Sequence, residues 1–191
     1  MITDKSDKKI TFEKITNEWM QSLQRYLDQY GDIADSNKMI NEGYDKVKED
    51  LWVERQKALL RIYARFPGAN QAFLMDVFYE YAKIRIDLKK RTFNMLIEFK
   101  LKNPEALEHV CIFRYPIDRH GRKIEKGDKN AELNRFIATH IRLVDLCSKD
   151  AHKWGNDDHR LRVMDLCKET EELIDIYRSY LELQPGIAIR Q

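Results

Sequence analysis

The sequence predicts an all-α protein: an elongated helical bundle of about five helices, with a long antiparallel helical hairpin and a short inserted β-hairpin or loop. Three observations lead there. Apolar residues recur at three- and four-residue steps over most of the chain, the spacing that lines one face of a helix. Only 7 glycines and 4 prolines occur in 191 residues, so few positions interrupt a helix. Hydrophobic residues make up 43% of the chain and charged ones 35%, enough for a core and for wide solvated helix faces.

The first apolar stripe is Phe12, Ile15, Trp19, Leu23, Tyr26 and Tyr30. It predicts a helix over 11–30, with Thr11 as N-cap and Gly31 just past the end. The second stripe is Ile40, Tyr44, Val47, Leu51, Arg55, Ala58, Ile62 and Phe66, a helix over 36–66 capped by Asp35 or Ser36. Gly43 lowers its propensity by about 1 kcal/mol against Ala without ending it. Pro67 and Gly68 stop it, and Asn70 caps the next helix. That stripe, Leu74, Val77, Tyr81, Ile84, Leu88, Met95 and Phe99, has Arg91 in register and runs to Asn103, where Pro104 ends it. Two helices of about 30 residues, each ~45 Å long, joined by so short a link are expected to lie antiparallel as a hairpin over 36–103.

Helical periodicity then disappears over 104–129. Val110, Cys111, Ile112, Phe113, Arg114 and Tyr115 form a β-favouring run, Asp118, Arg119, His120 and Gly121 a turn, and Arg122 to Glu125 a second short strand. A helix over 130–149 follows, with Leu133, Phe136, Ile137, Ile141, Val144 and Cys147 on one face. After a polar link over 150–158, a last helix over 158–183 is expected to turn Leu161, Met164, Cys167, Leu173, Ile174, Tyr177 and Leu181 inward. Pro185 and Gly186 end it, leaving a short apolar tail over 185–191. The chain over 1–191 thus reads as a single helical domain: hairpin, basic non-helical insert, two C-terminal helices over 130–184, and tail.

Composition excludes several function classes. Lys and Arg total 34 against 32 for Asp and Glu, so bulk charge does not favour nucleic acid or an anionic membrane surface. Three unclustered cysteines do not make a disulfide framework, and the first residues lack the apolar core of a signal peptide. A cytoplasmic location without a membrane span is therefore expected. Cys147, His152, His159 and Cys167 are the zinc candidates, but they lack paired short spacing. A di-metal bundle needs Glu-x-x-His pairs on facing helices, and neither long helix has one. No Gly-x-Ser-x-Gly elbow or glycine-rich phosphate loop occurs, and the dispersed His109, Glu132 and His140 make no recognisable site. The expectation is no enzyme, no cofactor, no metal and no small-molecule substrate.

The insert is the best functional candidate. Arg114, Arg119, Arg122, Lys123, Lys126 and Lys129 face only Asp118, Glu125 and Asp128 there, with Phe113, Tyr115 and His120 interleaved. Arg114, Tyr115, Arg119, His120, Arg122, Lys123, Lys126 and Lys129 are the candidate contacts to nucleic acid or a partner, since a cationic arm with aromatics can track phosphates and stack on bases. A solvated hairpin that blunts its own edges with charge explains the same residues. Arg55 and Arg91 interrupt apolar stripes. Either they snorkel or pair with Glu80, Asp50 or Glu54, or the hairpin is too long to pack wholly against its own chain. The leading expectation is a non-enzymatic structural or assembly protein acting through helix-mediated contacts with a protein partner or with itself. By architectural analogy alone, a helical subunit with an inserted ribbon suits the ring-forming connectors of virions. The alternative is a nucleic-acid-binding protein using the basic residues of 113–129.

Overall fold

A computed structural model describes residues 3–29, 36–65, 71–104 and 157–183, together with positions 133, 134, 137, 138, 140, 141 and 145. The described residues contain four long helices and no strand: α1 (Thr3–Asp28), α2 (Ser36–Arg65), α3 (Gln71–Lys102) and α4 (Asp157–Glu182). The seven isolated positions between 133 and 145 are helical as well. The basic insert lies, apart from Pro104, outside the described residues, as do the apolar tail, Tyr30, Gly31 and the link of Phe66, Pro67, Gly68 and Asn70.

Helix α3 is the centre of the arrangement and packs extensively against α1, α2 and α4. Two apolar faces of this one helix make that geometry. Val77, Leu88 and the half-buried Tyr81, Ile84, Met95 and Phe99 form the face expected from the sequence. A second face, Tyr79, Ala82, Ile86, Phe93 and Leu96, is equally buried and escapes a single-stripe reading. Phe93 on this face meets Tyr177 and Tyr180 of α4, both at 5.0 Å between ring centroids. On the first face Phe12 of α1 meets Tyr81 at 6.4 Å, and the Trp19 indole N–H donates to Thr92 Oγ1 at 3.0 Å. Pro104 stops α3: the helix ends at Lys102, and the Asn103 amide and side-chain Nδ2 both donate to Phe99 O.

The stripes expected on α1 and α2 match the buried residues. Phe12, Trp19 and Leu23, and Ile40, Tyr44, Val47, Leu51, Ala58 and Ile62, are all buried. Thr11 is not an N-cap, because α1 already starts at Thr3; residues 3–10 hold no Gly or Pro to break the helix. Gly43 has a packing role beyond propensity. A Cβ at that position would lie 2.7 Å from Trp19 Cζ3, so its absence lets α1 and α2 close on each other.

The face expected for α4 is corrected. Leu161 and Met164 are outward, 66% and 67% exposed. The buried line is Val163, Leu166, Thr170, Leu173, Tyr177, Tyr180 and Leu181, rotated from the expected one over the first turns. Polar bridges flank this buried line. Arg162 donates to Asp76, Lys83 to Asp165 at 3.0 Å, and Lys90 to both Glu169 and Glu172, all between α3 and α4. These bridges run along one flank of the buried line, with Val163 and Leu166 in the core and Leu161 and Met164 turned to solvent. Ile141 likewise points outward while His140 is buried.

Candidate functional site

The eight candidate residues Arg114, Tyr115, Arg119, His120, Arg122, Lys123, Lys126 and Lys129 lie outside the described residues, as do Cys147, His152, His109 and Glu132. Cys167 is half-buried on α4, and burial pushes its thiol up, which makes the thiolate less available as a ligand or nucleophile. Among the described residues no group of three or more His, Cys, Asp and Glu side chains is arranged to hold a metal ion. Among them, too, no helix is long and apolar enough to cross a membrane.

The two arginines inside apolar stripes find partners within the chain. Arg55 lays its guanidinium over the Phe78 ring at 4.4 Å and the Tyr81 ring at 5.2 Å, so it is an aromatic-stacked cation between α2 and α3. Arg91 donates to Asn17 Oδ1 of α1 at 3.0 Å and faces Asp87. Glu54 bonds instead to Lys57 and Arg61. A recess beside these residues, lined by Thr11, Phe12, Glu54, Ala58 and Arg61, has a volume of only about 10 Å³. That is below the roughly 300 Å³ at which small-molecule sites begin.

Two features of the surface and near-surface remain. The first is an apolar stripe on α2. Trp52 (49% exposed), Leu60 (66%) and Tyr63 (50%) follow one another at helical spacing, with Val53 beside them. They sit across the helix from Leu51, Ala58 and Ile62, which face the core. Thus the C-terminal half of α2 is apolar on two opposite sides, and only one of them is covered by the described residues. Periodicity hides the outer one, because a stripe search stops once it has found the stronger inner line.

The second feature is a cationic junction of α2, α3 and the helical residues around His140. Lys89 Nζ lies 2.7 Å from His140 Nε2, a hydrogen bond whose direction is set by the tautomer of the ring. Burial, then the nearby Arg85 and Lys48 cations, push the Lys89 ammonium down to about 7. Arg85 donates through Nη1 to Tyr81 Oη at 2.8 Å, while its Nε is buried without an acceptor. Tyr44 is buried with its Oη unpartnered, and burial holds its phenol well above the usual range. Lys48 pairs with Asp45 at 2.6 Å and hangs over the Tyr44 ring.

Comparison with known proteins found no match to a family model, to a curated protein or to a solved structure.

Proposed function

We propose that this chain is a non-enzymatic assembly protein that associates with a second copy of itself through the outward stripe of α2. The observation that carries this reading is the exposed line Trp52, Val53, Leu60 and Tyr63 on a helix whose opposite side is already in the core. Exposed aromatic and aliphatic side chains at helical spacing are expensive to keep in water and are typical of association surfaces. A second copy is the favoured occupant because the chain is close to neutral, with 34 basic against 32 acidic residues, so copies do not repel one another. A helix stripe related to itself by a two-fold axis also needs no complementary partner patch.

Size-exclusion chromatography with light scattering tests this. The wild-type chain should elute with a mass that is a multiple of the chain mass, and Leu60→Glu should convert it to a monomer with unchanged helicity. A wild-type chain that stays monomeric at high micromolar concentration overturns the reading.

The same proposal includes the finer architecture. Arg55 meets Phe78 and Tyr81, and Ile62 shares a small apolar cluster with Val77, so positions on α2 fall as those on α3 rise. This pattern supports a hairpin in which 66–70 make the turn. The helical positions between 133 and 145 support a fifth helix over 130–149. The alternative function, nucleic-acid binding through the insert, is supported by the excess of six cations over three anions from Arg114 to Lys129.

A further inference from the structure

We propose that two copies of this chain meet along α2 in antiparallel orientation, with Gln56 beside the two-fold axis and Asp50 of each copy paired with Arg61 of the other. This rests on the reading that the outer face of α2 binds a second copy, and it adds how the two copies are set. Three observations lead to it.

The first is that the outer side of α2 is polarised along its length. From 42 to 50 the exposed residues are Glu42, Asp45, Lys46, Glu49 and Asp50. The half-buried Lys48 offsets Asp45 at 2.6 Å, which still leaves the acids in excess. From 52 to 65 the exposed charged residues are Lys57, Arg61 and Arg65, all basic. Glu54 is half-buried and bonds to Lys57 at 2.6 Å and Arg61 at 3.6 Å. One carboxylate thus serves two cations, and the second half keeps a positive excess.

The second is direction. Residues 11 apart on a helix are separated by about three turns, so they point nearly the same way. Asp50 and Arg61 have that spacing, and so do Trp52 and Tyr63. A two-fold axis crossing α2 at Gln56 lies close to the midpoint of both pairs. It brings Asp50 to Arg61 of the other copy, and Trp52 to Leu60 and Tyr63 of the other copy. Each of these contacts forms twice, so one apolar centre is flanked by two ion pairs.

The third is the outcome of the opposite orientation. A two-fold axis running along α2 sets each residue beside its own counterpart. Glu42 and Glu49 lie about five and three turns before Leu60, on the same line of the helix. Parallel copies would therefore press like carboxylates together on the centre line of the contact. The antiparallel arrangement sends the two acidic halves to opposite ends.

Thiol cross-linking with a short bis-maleimide tests the arrangement in the full chain, using Gln56→Cys and Glu42→Cys. Peptide mass spectrometry separates links at these positions from links through the native cysteines. Gln56→Cys should join 56 to 56. Glu42→Cys should not join 42 to 42, since those positions would lie about 40 Å apart at 1.5 Å per residue. A 42–42 link overturns the antiparallel arrangement and leaves association through α2 standing. A dimer that gives neither link overturns both, and so does a wild-type chain that stays monomeric. Charge reversal reads the ion pairs separately. Asp50→Arg or Arg61→Asp should each weaken dimerisation by about tenfold, because two symmetric attractions become repulsions, and the two together should restore it. Single reversals that leave the dissociation constant unchanged overturn the pairing of Asp50 with Arg61.

Discussion

Replacing Gly43 with alanine sets two effects of opposite sign against each other. In a solvated helix the change would stabilise by about 1 kcal/mol, because Ala is the better helix former. In α2 the new methyl would lie 2.7 Å from Trp19 Cζ3, inside any contact a real Cβ makes. The indole has little freedom to move aside. It is buried, packs against the Tyr44 ring at 5.9 Å, and is tied to Thr92 of α3 through its N–H. Forcing a methyl into such a core costs typically about 1–3 kcal/mol, and pulling the indole from Thr92 adds about 1 kcal/mol. The expected balance is a net destabilisation of about 1–3 kcal/mol, or about 2–12 °C in Tm for a chain of this size. Thermal and urea unfolding by circular dichroism measure it. In a Trp19→Phe background the obstructing ring edge is gone, and the same Gly43→Ala change should become neutral or stabilising. A Gly43→Ala protein as stable as the parent refutes the claim that this glycine sets the approach of α1 and α2.

Phe93→Ala should cost about 3–5 kcal/mol in urea unfolding, because it removes the ring that joins α3 to Tyr177 and Tyr180. Lys90→Ala should cost about 1 kcal/mol and less in high salt, since the Lys90 bridge to Glu169 and Glu172 is partly exposed; a salt-independent loss would refute the ionic account. The Lys89 ammonium is held down to about 7 in the folded chain against 10.5 for a free lysine, so the unfolded chain binds more protons between those values. Folding stability should therefore rise with pH from about 7 toward 10.5 relative to Lys89→Met, and parallel pH profiles for the two proteins would refute this. If the alternative of nucleic-acid binding holds, joint replacement of Arg119, Arg122 and Lys123 by alanine should weaken binding and reduce its salt slope, measured by fluorescence anisotropy.

The all-helical class was legible in the sequence because it depends on local quantities. Period, scarce Gly and Pro, and the stop at Pro104 act within one turn of helix, and no tertiary contact is needed to express them. The buried lines of α1 and α2 were legible for the same reason, each having one dominant apolar face toward the core. The outward Trp52, Leu60 and Tyr63 are present in the same letters, but a second apolar side is indistinguishable from scatter around a one-stripe pattern. The cationic junction was not legible at all. Tyr44, Arg85, Lys89 and His140 come from three separate parts of the chain, and Lys89 is an ordinary surface lysine until its neighbours are in place.

By itself, then, the sequence determined the all-helical class of the described residues and the inner faces of α1 and α2. Only the tertiary structure decided that α3 is apolar on two faces, and which way α4 is turned. Leu161 and Met164 are as apolar as Val163 and Leu166, so periodicity cannot choose between them. The choice is made by α3, whose Asp76, Lys83 and Lys90 bind charges at fixed positions along α4 and whose Phe93 needs Tyr177 and Tyr180 beside it. Rotation of a helix about its own axis is a property of the pair, and one strand of letters carries only half of that pair.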